Sequence, residues 1–273
     1  MTPVDPGGLE LALAALVVFV GAVLQGAVGF GYALVAAPIL LLIDPRLVPG
    51  PVIFAALFLT SLSAHRDRHA IDFSGIGWGT AGRLPGTMLG AALLVALPPE
   101  RLAAPLGALV LFAVAISALG VRVEPSPRAH VAAGLLSGFM GTTSSIGGPP
   151  IAMLYQHAPG DQLRGTLGGF FVIGCVMSLV AIAAVGRFGA AELRWGAVLV
   201  PGIVLGFLVS SRLTPWIDRG YTRPQTRLPQ RARGQLRVAG YCLQGHPATL
   251  WADDFPRLSG SSRGFHHPGR SPG

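Results

Sequence analysis

The sequence predicts an all-α, polytopic membrane protein of two tandem repeats, each of about four spans and each opening on a helix broken by glycine or proline. Three observations lead there. The chain is 51% hydrophobic and only 12% charged, against roughly 25% charged for a soluble domain. The few charges are clustered, which leaves long uncharged runs. And two glycine-rich stretches, QGAVGFGYALVAAPIL from Gln25 and SGFMGTTSSIGGPPIA from Ser137, align without a gap at an offset of 112 residues.

The uncharged runs place the elements in order. Leu11 to Ile43 holds 33 residues without a charge, Leu47 to Ala64 holds 18 and Leu102 to Val121 holds 20. Gly165 to Gly186 adds 22 and Trp195 to Ser211 adds 17. A spanning helix needs roughly 17 to 25 such residues. The first half therefore reads as segments 9–43, 47–64, 72–97 and 102–121, and the second as 130–157, 163–186 and 195–212. LPGTMLG (84–90) also resembles VPGIVLG (200–206) at an offset of 116. Matched offsets of this kind mark an internal duplication, as in many secondary transporters. Residues 1–121 form the first repeat, 122–219 an incomplete second one and 220–273 a basic tail.

The fourth span of the second repeat should fall near 219–237, where Arg223, Arg227, Arg231, Arg233 and Arg237 stand instead. Each mid-bilayer charge costs about 2.5 to 3.5 kcal/mol on insertion scales, so this stretch is not expected to span. It reads either as an aberrant C-terminus, for instance a frameshift that replaced the last span, or as a natural disordered tail. The formal charge of +8 belongs mainly to this tail, because residues 1–219 hold 12 Arg against 10 acidic residues. It is therefore no nucleic-acid signal. MTPVDPGGLE carries Asp5 and Glu10 and no basic residue, so the first apolar run is expected to be retained rather than cleaved as a signal peptide. Arginines in the short loops 65–69 and 122–128 put those loops on the cytoplasmic side. Whether the repeats are parallel or inverted depends on whether segments 9–43 and 130–157 cross once each or fold as hairpins.

The chemistry concentrates at Gly141–Pro150. Glycine disfavours helix, and Pro149 and Pro150 lack amide protons, so backbone groups there lose helical partners. In a bilayer such a break must face protein or a water-filled cavity. A half-helix N-terminus at the break favours an anion. Gly141, Thr142, Thr143, Ser144, Ser145, Gly147, Gly148, Pro149 and Pro150 are accordingly the candidate substrate-binding residues of the second repeat. Gln25, Gly29, Gly31 and Pro38 are their counterparts in the first. Small residues also permit close helix packing, the favoured reading for Gly134 and Gly138. Arg83 joins the list because charge inside a span is a functional hypothesis by default; the other reading is that it snorkels to the interface. Arg164, opening segment 163–186, is expected at the interface.

Other patterns carry less. His65 and His69 flank Asp67 in a short loop, where solvation is favoured over a metal site. There is no Lys anywhere, which excludes a Walker motif. Cys175 and Cys242 imply no disulfide framework. No nucleophile–base pair suggests an enzyme. No cofactor, metal or nucleic-acid partner is expected, and the oligomeric state is open.

GAVLQGAVGFGYALVAAPILLL and GLLSGFMGTTSSIGGPPIAMLYQ together resemble the TauE/SafE permeases, the sulfite exporter family. The second, with G-x-x-S-G-x-x-G and then G-G-P-P-x-x-x-L-Y-Q, is the closer match. DQLRGTLGGFFVIG and VPGIVLGFLVSSRLTPWIDRG extend the similarity, which covers roughly residues 8–223. Gly26, Gly29, Gly31 and Pro38 match the first signature; Gly138, Gly141, Gly147, Gly148, Pro149 and Pro150 match the second. The resemblance implies a multi-pass permease of the inner (cytoplasmic) membrane, of about eight spans, moving small anions such as sulfite, sulfonates or related organosulfur compounds. Its partners would be the lipid bilayer and that small-anion substrate. Two departures stand out: Phe30-Gly31-Tyr32 replaces a more glycine-rich stretch, and the family's final apolar helix is absent, which favours the aberrant tail. The alternatives are a non-transporting membrane scaffold or a truncated, inactive family member.

Overall fold

The computed structural model describes residues 7–97, 103–119 and 123–221, and they are helical almost throughout. The tail from 222 onward, with the expected missing span, lies outside the described residues.

Segment 9–43 divides into α1 (Gly8–Val28) and α2 (Tyr32–Ile43). Gly29 and Gly31 make the division, at φ 106° and 116°, a left-handed backbone open to glycine at little cost. The Gly29 amide donates to the Gln25 carbonyl at 2.7 Å and so closes α1. Asp44 ends α2 and caps a single 3-10 turn, accepting from the Arg46 amide and guanidinium. Then come α3 (Gly50–Arg66), α4 (Phe73–Ala96) and α5 (Ala103–Leu119). The second half gives α6 (Pro127–Ser144), α7 (Gly148–Tyr155), α8 (Gly160–Ala184) and α9 (Ala190–Tyr221). Ser126 caps α6 by accepting from the Ala129 amide, and Pro127 at the first helical position pre-sets its φ.

Three of these are long and apolar enough to cross a membrane by length and hydropathy: Gly8–Val28, Gly160–Ala184 and Ala190–Trp216. α3 and α5 stop at 17 residues each. In α4, Arg83, Pro85 and a run of glycines dilute the apolar content.

Contacts between helices fix their directions. Gly202 of α9 packs on the Ala15 carbonyl of α1, Gly206 on Phe19, and Gly26 on Ser210, so α1 and α9 run in parallel. α4 and α6 do likewise, with Gly79 against Gly134, Arg83 against Gly138 and Gly90 against Thr142. α3 and α8 run antiparallel, Asp67 lying beside Gly165 and Ile53 packing in one cluster with Ile182. One end of the bundle therefore holds the starts of α1, α3 and α9. There Arg46 stacks on Trp195 at 5.2 Å, and Arg187 donates to the Leu94 carbonyl of α4 at 3.0 Å. The opposite end holds the starts of α4, α6 and α8, where the Asp72 amide donates to Thr166 at 3.0 Å and Arg164 meets Asp67.

Both broken segments are hairpins. α2 turns back along α1, with Tyr32 on Gly21, and returns to the end where α1 began. α7 turns back along α6, with Gly147 on Ser137 and Gly141, and brings Tyr155 to the end where α6 began. The two hairpins thus enter from opposite ends. Each has its own apolar core: Val18, Tyr32, Leu40, Leu59 and Ile203 around the first, and Ile76, Ile151, Leu167, Phe170 and Phe171 around the second.

Candidate functional site

The hairpin tips overlap beside one cavity. Gln25, Phe30, Gly31 and Tyr32 line it from the first, and Gly141, Ser145, Ile146, Gly147, Gly148 and Pro149 from the second. Ile53 and Thr60 of α3, Arg83 of α4, and Phe171, Cys175 and Ser178 of α8 complete the wall. The cavity offers about 50 Å³ to the centres of water-sized groups. One such group needs roughly 10–15 Å³ on that measure, so the space suits a cluster of a few heavy atoms.

Arg83 is its only cationic wall residue among those described, and it is 4% exposed. It sits inside the bundle, near the middle of α4. Its Nη1 donates to Ser137 Oγ at 2.9 Å, and Ser137 Oγ donates to the Gly147 carbonyl at 2.6 Å. The guanidinium lies over the Phe170 ring at 5.0 Å. Its Nε has no hydrogen-bond partner, and among the described residues no carboxylate pairs with it. Glycine makes the space: a Cβ at Gly174 would fall on this guanidinium. A buried cation without a counter-ion is costly, and a bound anion would offset that cost.

The two half-helix N-termini differ. At α7 the prolines remove two amide protons, leaving mainly Gly148 as a donor near the cavity. At α2 the Tyr32 amide is taken by Gln25 Oε1 at 3.2 Å. Ala33 and Leu34, which follow it in the cavity wall, hold first-turn amides with no intrahelical acceptor. The richer donor set is on the first hairpin, where the sequence shows fewer hydroxyls.

The hydroxyl run expected to belong to the break is largely helical. Thr143 and Ser144 donate to the carbonyls of Phe139 and Met140, at 2.8 Å each, within α6. Thr142 faces away from the lining but bonds Ser178 Oγ at 2.9 Å, one contact behind the wall. The turn itself is Ser145-Ile146-Gly147, with Ser145 at φ 66°, its hydroxyl donating to the Pro49 carbonyl at 3.2 Å. Gly29 lies against Arg164 rather than the cavity. Pro38 is within α2 and Pro150 is buried in α7, neither in the lining. Sequence reasoning passed over Thr60, Cys175 and Ser178, which sit in unbroken apolar helices and carry no local signal. Ser137 could have been found, since it sits in G-x-x-S-G on the helix that leads into the break.

Arg164, expected at the interface, is buried, with Nε 3.3 Å from Asp67. Asp67 also pairs with Arg66 at 2.9 Å, and Arg66 donates to the Gly26 carbonyl at the close of α1. A second polar chain lies at the same end. Tyr155 donates to Asp72 Oδ2 at 2.9 Å, and His130 Nε2 lies 3.0 Å from the Tyr155 hydroxyl. Burial pushes the Asp72 carboxyl up, but hydrogen bonds from the Gly75 amide and Tyr155 outweigh it and hold the group below the usual carboxylate range.

With this geometry in view, residues 13–225 match the family described as Sulfite exporter TauE/SafE. The chain belongs to the TauE/SafE family. The match runs through every helix described here, both hairpins included, and TauE/SafE proteins are a membrane transporter family. No curated protein and no solved structure matches the chain.

Proposed function

We propose that this TauE/SafE chain is a permease that carries small anions, such as sulfite, sulfonates or related organosulfur compounds, across the cytoplasmic membrane. The observation that carries the reading is Arg83, a buried cation without a carboxylate partner in a cavity walled by two opposed hairpin tips. Its charge, the Ala33 and Leu34 amides and the hydroxyls of Thr60, Ser145 and Ser178 would replace the anion's hydration. The volume favours a compact oxyanion over a bulky one.

The exchange of partners supports reading the halves as repeats: α1 packs on α9, while its counterpart α6 packs on α4. Counterparts α3 and α8 run antiparallel, and each hairpin returns to its own end. Inverted repeats around a central site are a common transporter plan. Loop arginines would put the end holding Arg66, Arg68 and Arg128 in the cytoplasm.

Purified protein in proteoliposomes should move at least one of labelled sulfite, methanesulfonate or thiosulfate, and Arg83→Gln should slow that flux about 10- to 100-fold, the worth of a charged hydrogen-bonding group. Absence of flux for the whole panel would remove the reading.

A further inference from the structure

Asp72, Tyr155 and His130 form a chain whose hydrogen bonds close only with one additional proton. Their carriers come from three helices: Asp72 caps α4, His130 is in the first turn of α6, and Tyr155 ends α7. Tyr155 and His130 are 5% and 6% exposed. His130 Nδ1 lies 2.8 Å from the Ser126 carbonyl, which can only accept, so Nδ1 must bear a proton. The Tyr155 hydroxyl gives its one proton to Asp72. Its oxygen can then only accept at Nε2, so Nε2 must bear a proton too. Three hydrogen bonds, with Ser126, Tyr155 and Asp72, thus share the two protons that a neutral imidazole and the hydroxyl supply.

Without an additional proton, one O–H faces two acceptors. Either Asp72 Oδ2 or Nε2 then loses the Tyr155 hydroxyl, beside Gly75, where a Cβ would already collide with both Tyr155 and His130. On α3 and α8, Asp67 is held between Arg66 and Arg164, and Asp161 lies 3.5 Å from His69. Arg128, also in the first turn of α6, is exposed.

α7 has only eight residues, about 12 Å of helix. Its last residue, Tyr155, belongs to this chain, and its first two, Gly148 and Pro149, line the anion cavity. A short helix moves as a unit, so whatever docks one end positions the other. We propose that the Asp72–Tyr155–His130 chain is a proton-binding site that docks α7 against α4 and α6 and thereby couples anion movement to protons. The proposal rests on the permease reading for its transport consequence, while the proton site itself stands independently. By linkage, proton and anion must each change the other's affinity by the same factor.

The test uses the full chain in proteoliposomes with methanesulfonate, a permanent anion that carries no proton of its own, and entrapped pyranine to follow pH. Methanesulfonate entry should move protons, and an imposed pH gradient should drive its accumulation. Tyr155→Phe and His130→Gln can slow anion exchange through α7, but the protons moved per methanesulfonate should fall by about tenfold or more. Methanesulfonate exchange in the unmodified protein without proton movement would overturn the proposal. So would variants that keep full coupling.

If no anion moves at all, the permease reading fails, and the proton site is judged by nitrogen-15 NMR of histidine-labelled protein in micelles. The signals absent from His130→Gln should show both ring nitrogens protonated at neutral pH, and Tyr155→Phe should shift the Nε2 resonance. A single neutral tautomer, indifferent to Tyr155→Phe, would overturn the site.

Discussion

Arg83 could be anticipated as a residue, but its surroundings could not. A charge in the middle of an uncharged run is visible in any sequence, whereas burial against Phe170, Ser137 and Gly174 depends on which helices meet. The guanidinium uses one nitrogen on Ser137 and its face on Phe170, a geometry that an ammonium cannot reproduce. Arg83→Lys should therefore fail to restore flux, staying within about threefold of Arg83→Gln. Gly174→Ala is a sharper probe, because its methyl would occupy the guanidinium's own place. Flux should fall about as far as in Arg83→Gln, with the helical circular-dichroism signal unchanged. The hydroxyl run separates in the same way. Ser144→Ala removes only a bond back to the Met140 carbonyl and should leave flux near that of the unmodified protein. Ser145→Leu fills the cavity wall and should abolish it. Equal effects of the two would contradict the placement of the turn at Ser145.

Among the elements, the breaks were legible because glycine and proline act locally on the backbone. Whether a break kinks a helix or reverses it was not legible. That outcome depends on contacts such as the Tyr32 amide on Gln25 and the Ser137 hydroxyl on the Gly147 carbonyl, made across the turn. Thr143 and Ser144 show a related limit: hydroxyls that suggest a polar site can also be satisfied by the preceding helical carbonyls. Glycine in α4 illustrates the same limit. Gly77 and Gly86 look alike in sequence, yet a Cβ at Gly77 meets nothing within 4 Å and one at Gly86 falls on the Leu135 carbonyl of α6. Gly77→Ala should stabilise by about 0.5–1 kcal/mol through helix propensity. Gly86→Ala should destabilise by about 1–3 kcal/mol as α4 and α6 separate. Thermal unfolding in detergent would distinguish them, and opposite signs are required.

For the whole molecule, the sequence supports an all-α membrane protein and a pair of matched breaks, but it leaves the sense of the two halves undecided. Counting uncharged runs cannot tell one crossing from a hairpin, since both have the same composition. The structure separates them through the ends of the bundle. Pro45 follows the first hairpin at the end where Arg46 meets Trp195, and His157 follows the second at the end where Tyr155 meets Asp72. Both residues are exposed. In a background with Cys175 and Cys242 replaced, Pro45→Cys and Gly189→Cys should react with a membrane-impermeant maleimide on intact cells. His157→Cys and Pro125→Cys should react only after the membrane is permeabilised, if the loop arginines hold that end inside as the proposed orientation requires. The pairing matters more than the absolute side. Should Pro45→Cys and His157→Cys label from the same face, the hairpins would not be opposed, and the cavity between their tips would have no claim to connect the two sides of the membrane.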